Sequence, residues 1–163
     1  MSTLKVNKII PTAGVPTGGG GGIIQVVTNN STFTSNVTTV SSSFTNLTTT
    51  LNTSITPLFS TSKILVLMTA PVFATNAYNG GIASFTIGRG GSVINDFSYG
   101  DIYSNASGIT YMPLTMHILD SPNTDQQVTY NFMARTNNTS YSVGIGAYGK
   151  NEVVSITLME VSA

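Results

Sequence analysis

Along much of this chain apolar and polar residues alternate, the pattern that sends successive side chains to opposite faces of a strand. Ala83, Phe85 and Ile87 alternate with Ser84 and Thr86, and Met112, Leu114, Met116 and Ile118 with Tyr111, Thr115 and His117. Val128, Tyr130, Phe132 and Ala134 repeat the pattern, as do Tyr141, Val143, Ile145 and Ala147, and finally Val154, Ile156 and Leu158. Residues 63–71 depart from it. That run, Lys63-Ile64-Leu65-Val66-Leu67-Met68-Thr69-Ala70-Pro71, is almost continuously apolar, which predicts a central strand buried on both faces.

Turn residues punctuate these runs. Gly88-Arg89-Gly90-Gly91 predicts a hairpin turn into Ser92-Val93-Ile94, and Ser121-Pro122-Asn123 and Gly149-Lys150-Asn151 predict two more turns. Residues 23–28 read as the first strand, closed by a turn at Asn29-Asn30, and residues 95–108 as a long surface loop. The tract at 31–56 is ambiguous by spacing. Val37, Val40, Phe44, Leu47 and Leu51 fall three and four apart, as in a heptad. The residues between them are mostly Thr, Ser and Asn, poor helix formers, so two strands are expected, over 32–40 and 44–55. About eight to ten strands without a helix predict an all-β fold, a β-sandwich or jelly roll.

The first 22 residues predict an extended arm. Leu4, Val6, Ile9 and Ile10 form an apolar strip, Pro11 and Pro16 break regular structure, and Gly18 to Gly22 make a flexible joint. No helix or Lys-Ser/Thr pair follows the glycines, so they lack phosphate-loop character. The expected division is an arm over 1–22 and a β-domain over 23–163.

Composition narrows the partners. Only 7% of residues are charged and the formal net charge is zero, far below the usual ~25% charged. Six scattered Lys and Arg residues cannot build a phosphate-neutralising stripe, so nucleic acid is not an expected partner. No apolar run approaches the ~20 residues of a membrane helix, and Lys5 and Lys8 interrupt any signal-peptide pattern. So uncharged a surface predicts coverage by other protein chains.

Catalytic chemistry is hard to assemble from these residues. With no Cys and one His, His117, the common zinc sites are unavailable, and His117 reads as a structural or interface residue. Asp96, Asp101, Asp120 and Asp125 are the only plausible source of a glycosidase pair or a calcium site. They read instead as solvated turn acids. No catalytic, cofactor or metal residue is assigned.

Several segments resemble bacteriophage appendage proteins, especially fibre and decorating proteins of marine phages. Met1-Ser2-Thr3-Leu4-Lys5-Val6-Asn7-Lys8-Ile9 is similar to their virion-attachment terminus. Ile24-Gln25-Val26-Val27, Phe33, Ser43-Phe44, Ser54-Ile55-Thr56-Pro57, Ser62-Lys63-Ile64-Leu65-Val66 and Ser155-Ile156-Thr157-Leu158-Met159-Glu160-Val161 carry the likeness through the domain. The resemblance implies a tumour-necrosis-factor-like jelly roll that forms a homotrimer on the virion surface, assembled in the host cytoplasm. It also implies strand, not coiled coil, for residues 43–56.

On this expectation Leu4, Val6, Ile9 and Ile10 anchor the arm to other virion proteins. Tyr78, Asn79, Tyr99, Tyr103 and Asn105, in or beside predicted loops, are candidates for contacting a host-surface glycan or protein. A short fibre or knob for host attachment is the first reading. A capsid decoration protein without receptor binding is the second, and an enzyme acting on host polysaccharide the third.

Overall fold

The computed structural model describes residues 22–75, 82–94, 100–103, 108–146 and 151–162. The strands are β1 (Ile23–Phe33), β2 (Val37–Thr39), β3 (Thr45–Asn46), β4 (Thr53–Ile55), β5 (Lys63–Thr75), β6 (Ile82–Arg89), β7 (Ser92–Val93), β8 (Gly100–Tyr103), β9 (Ile109–Asp120), β10 (Val128–Thr136), β11 (Val143–Ile145) and β12 (Glu152–Val161). One 3-10 turn covers Thr49–Leu51. All the strands pair antiparallel, in two sheets.

In the first sheet β9 pairs with β5 from Ile64–Asp120 to Thr75–Ile109. The other side of β5 is shared end to end by β12, opposite its first half, and β11, opposite Val72, Phe73 and Ala74. β1 then borders β12, and β2 borders β11. In the second sheet β10 has β6 on one side and β3 and β4 on the other, while β6 carries β7 and β8 on its far edge.

Most positions that alternation predicted to be inward meet between the sheets, but Met112 of β9 is 40% exposed. Nor are β6 and β10 half-buried, since Ser84, Thr86, Asn131 and Met133 on their opposite faces are buried too. Val66, Met68, Val72, Ile156 and Leu158 from the first sheet pack with Phe85, Ile87, Tyr130 and Phe132 from the second, all of them fully buried. The Phe85 and Phe132 rings meet at 6.0 Å and 57°. Each such side chain stabilises the fold by about 1.5–3 kcal/mol through burial. Gly90 and Gly91, at φ 61° and 84°, form the two-residue hairpin turn read from the sequence, with Arg89 opposite Ser92.

Several expectations are corrected. The run at 63–71 is central but not buried on both faces: Ile64, Val66, Met68 and Ala70 are buried, whereas Leu65 and Leu67 are half-buried and Thr69 is exposed. The strand also runs on through Pro71 to Thr75, with Pro71 opposite Pro113 of β9. Asn29 and Asn30 are not a turn. β1 continues to Phe33 because β12 offers a ladder partner throughout, with Asn29 opposite Ile156 and Asn30 opposite Ser155.

The two strands expected over 32–40 and 44–55 are broken into β2, β3, the 3-10 turn and β4. Their hydroxyl side chains compete with the ladder for backbone groups. Thr48 Oγ1 accepts from Thr50 N, Thr39 Oγ1 accepts from Ser41 N, and Ser41 Oγ accepts from Ser43 N. Of the heptad-spaced set, Leu47 and Leu51 reach the core and Val40 stays exposed. The loop expected at 95–108 contains β8, held by β6.

Candidate interaction surface

The outer face of the first sheet follows from register and alternation. Val26 of β1, Met159 of β12, Leu65 of β5 and Leu119 of β9 stand opposite one another in one row across four strands. The next row is Thr28, Thr157, Leu67 and His117, and the next Asn30, Ser155, Thr69 and Thr115. Pro71 and Pro113 then face each other, as do Thr32 and Val153. None of these side chains is an acid, a lysine or an arginine. Val26, Leu119 and Val153 are each more than half exposed, at 54%, 51% and 56%. With Ile23 at 60%, whose row runs through Val161 to Lys63, they make a broad surface poor in charge, unlike scattered single apolar residues.

At the far end, among the described residues, the pairing along this edge of β5 is interrupted. β12 stops pairing with β5 at Ser155–Thr69, and β11 resumes at Ile145–Val72. Between them, Pro71 keeps one bond on that side, accepting from Gly146 N at 3.0 Å. The gap opens a concavity of ≈ 550 Å³ walled by Pro71, Tyr111, Met112, Pro113 and Val153, with Glu152 also lining it. Tyr111 stacks on Phe73 at 5.6 Å, which fixes one wall. Such a socket suits an apolar side chain.

Among the described residues the acids do not gather in a groove. Asp120, expected in a solvated turn, is only 6% exposed. Its Oδ2 accepts from Arg89 Nη1 at 2.6 Å and from the Tyr130 hydroxyl at 2.7 Å. This carboxylate of the first sheet is thereby clasped by two strands of the second. Asp101 lies on β8, Asp125 is exposed in the loop after β9, and Asp96 lies outside the described residues. Among the described residues no three His, Cys, Asp or Glu side chains come together, and no helix is long and apolar enough to cross a membrane.

Burial, then the hydrogen bond to Asp120 and its charge, push the Tyr130 phenol well above its ordinary value, against a smaller lowering by Arg89. The unfolded phenol ionises near pH 10 while the folded one stays protonated, so the folded state binds more protons there. This stabilisation is therefore present below about pH 10 and lost as pH rises above it, by up to ~1.4 kcal/mol per pH unit. Urea unfolding above pH 10 should show that decline in the parent protein. Tyr130→Phe should lack this component; an identical slope in both would refute the assignment.

Of the residues singled out for host contact, Tyr103 ends β8 and is 60% exposed. Tyr78, Asn79, Tyr99 and Asn105, and the arm residues Leu4, Val6, Ile9 and Ile10, lie outside the described residues. His117 is exposed on the outer face of β9. Sequence reasoning did not pick out the Val26–Met159–Leu65–Leu119 row, because its members come from four separate stretches. No protein-family model matches this chain, and no curated protein is significantly similar to it. The class defined by the fold itself is an all-β sandwich protein of two antiparallel sheets.

Proposed function

We propose that this protein is a structural component of a phage virion, a short fibre or knob that anchors through its N-terminal arm and displays a self-associating β-domain for host attachment. The virion assignment rests on the sequence resemblance given above. The outer face of the first sheet, poor in charge, is the observation that carries the self-association. Four strands spaced ~4.8 Å apart, at a rise of ~3.3 Å per residue, give it a projected footprint of roughly 450 Å². Side-chain relief raises the accessible area toward the ~800 Å² that each partner contributes to a stable interface. Among the described residues this face carries one charge, Lys63 at the start of β5, so a second copy can cover the rest of it without leaving an unpaired ion when water is expelled.

A jelly roll is the finer reading of the fold, and strand pairing supports it. Taking the eight strands β1, β4, β5, β6, β8, β9, β10 and β12 in order, the first pairs with the last, the second with the seventh, the third with the sixth and the fourth with the fifth. That nesting is what two Greek keys folded as a double sheet require. A homotrimer is the assembly this reading carries, with the role of the domain non-enzymatic and Tyr103 within reach of a host-surface glycan or protein.

Light scattering on the full chain should give a trimer mass, and a chain lacking residues 1–22 should give a trimer too. Leu65→Arg, at the centre of the apolar row, should reduce it to monomer with an unchanged far-UV spectrum. A monomeric parent protein would remove the self-assembling knob and favour a decoration protein ordered only by the shell. Loss of residues 1–22 should abolish incorporation into the particle; normal incorporation would remove the anchoring role.

A further inference from the structure

We propose that His117 makes self-association through the outer face of the first sheet sensitive to acid, so that copies hold together when its imidazole is neutral and separate when it is protonated. This inference rests on the assembly reading above. His117 is the chain's only histidine. It sits on the outer face of β9, opposite Leu67 of β5, with Thr157 of β12 and Thr28 of β1 completing its row.

Among the described residues its surroundings on that face carry no countercharge. Thr115 and Leu119 flank it along β9, and Leu65 and Thr69 lie diagonally across on β5. The nearest charge on the face is Lys63, two rows away at the end of β5 and of the same sign as an imidazolium. The acids of the same strands are elsewhere. Asp120 and Glu160 are buried on the core side, where Asp120 is held by Arg89 and Tyr130, and Glu160 by Gln25 and Leu58. Glu152 lies at the far end, beside the concavity.

A neutral imidazole covered by a second copy has an apolar ring to bury and polar threonine hydroxyls alongside. An imidazolium in the same place loses its water with no carboxylate to replace it, and repels its symmetry mates wherever the copies bring them close. Assembly therefore favours the neutral form. The sign follows: the interface is at full strength with the imidazole neutral, and weakens as acid protonates it. Because each copy contributes one such group, association should weaken by up to about tenfold per subunit for each pH unit across that protonation. Imidazole is the side chain whose charge ordinarily changes between about pH 5 and 8.

The test is light scattering of the full-length protein over a concentration series at about pH 8 and about pH 5, for the parent and two variants. His117→Gln keeps polarity and cannot gain a charge; His117→Arg carries a charge at both pH values. Both replace an exposed side chain, and far-UV circular dichroism checks that each is folded. The expected result is a parent that is oligomeric at the higher pH and monomeric at the lower. His117→Gln should be oligomeric at both, and His117→Arg monomeric at both. A parent oligomeric at both pH values, or a His117→Gln variant that still dissociates in acid, would overturn the role of His117 and leave the assembly standing. A parent monomeric at both would overturn the assembly itself, and this inference with it.

Discussion

Replacing Asp120 by Ala should lower the unfolding free energy by about 3 kcal/mol, the lower end of the cost of breaking a buried ion pair. Asp120 ends β9 in the first sheet, while Arg89 and Tyr130 come from β6 and β10 in the second. One carboxylate oxygen takes both donors, at 2.6 and 2.7 Å. Removing it leaves the hydroxyl of a fully buried tyrosine without an acceptor, which alone costs about 1–3 kcal/mol. The arginine suffers less. Its side chain is 37% exposed and can turn to water, which keeps the expected figure at the lower end. Urea unfolding should show a lower midpoint with an unchanged slope. Adding Tyr130→Phe to Asp120→Ala should recover about 1 kcal/mol by removing the orphaned hydroxyl. A loss below about 1 kcal/mol for Asp120→Ala would mean that the clasp contributes little to holding the sheets together.

Glu160 should be the second sensitive acid, and for a different reason. It is fully buried, and no ion pair reaches it among the described residues. Its Oε1 accepts from Leu58 N at 2.8 Å and its Oε2 from Gln25 Nε2 at 2.6 Å. Gln25 Nε2 also donates to Thr56 O at 2.7 Å. The carboxylate thereby ties the loop before β5 to the start of β1. Glu160→Gln preserves the shape but must turn an NH₂ toward one of two donors, so the cost should be about 2 kcal/mol. Hydrogen exchange at the Leu58 amide should speed up in step. An amide at Glu160 that leaves both stability and Leu58 protection unchanged would refute the clasp.

Both acids show how far the sequence could be read. Asp120 is the next inward position after Leu114, Met116 and Ile118, and Glu160 the next after Val154, Ile156 and Leu158. An alternation that runs on into an acid carries the signal of a buried carboxylate, and this is how both could have been found. What the pattern could not supply is the partner. Arg89 and Tyr130 lie far from Asp120 or across a turn, and only the stacking of the sheets brings them to it. The Ser, Thr and Asn tract over 31–56 was harder for the opposite reason. Its side chains can satisfy the backbone locally, so periodicity there says little about ladders.

By itself, the sequence determined that this chain is built of strands, that Phe85, Ile87, Tyr130, Phe132, Ile156 and Leu158 turn into the core, and where the Gly90-Gly91 hairpin falls. These follow from local rules, since a period of two and a demand for positive φ act within a few residues. It also determined that the surface would be poor in charge. Only the tertiary structure decided that Val26, Met159, Leu65 and Leu119 form one row, that β11 and β12 share an edge of β5, and that His117 has no carboxylate beside it on that face among the described residues. Those depend on register between strands distant in sequence, and a slip of one residue would send each of these side chains to the other face.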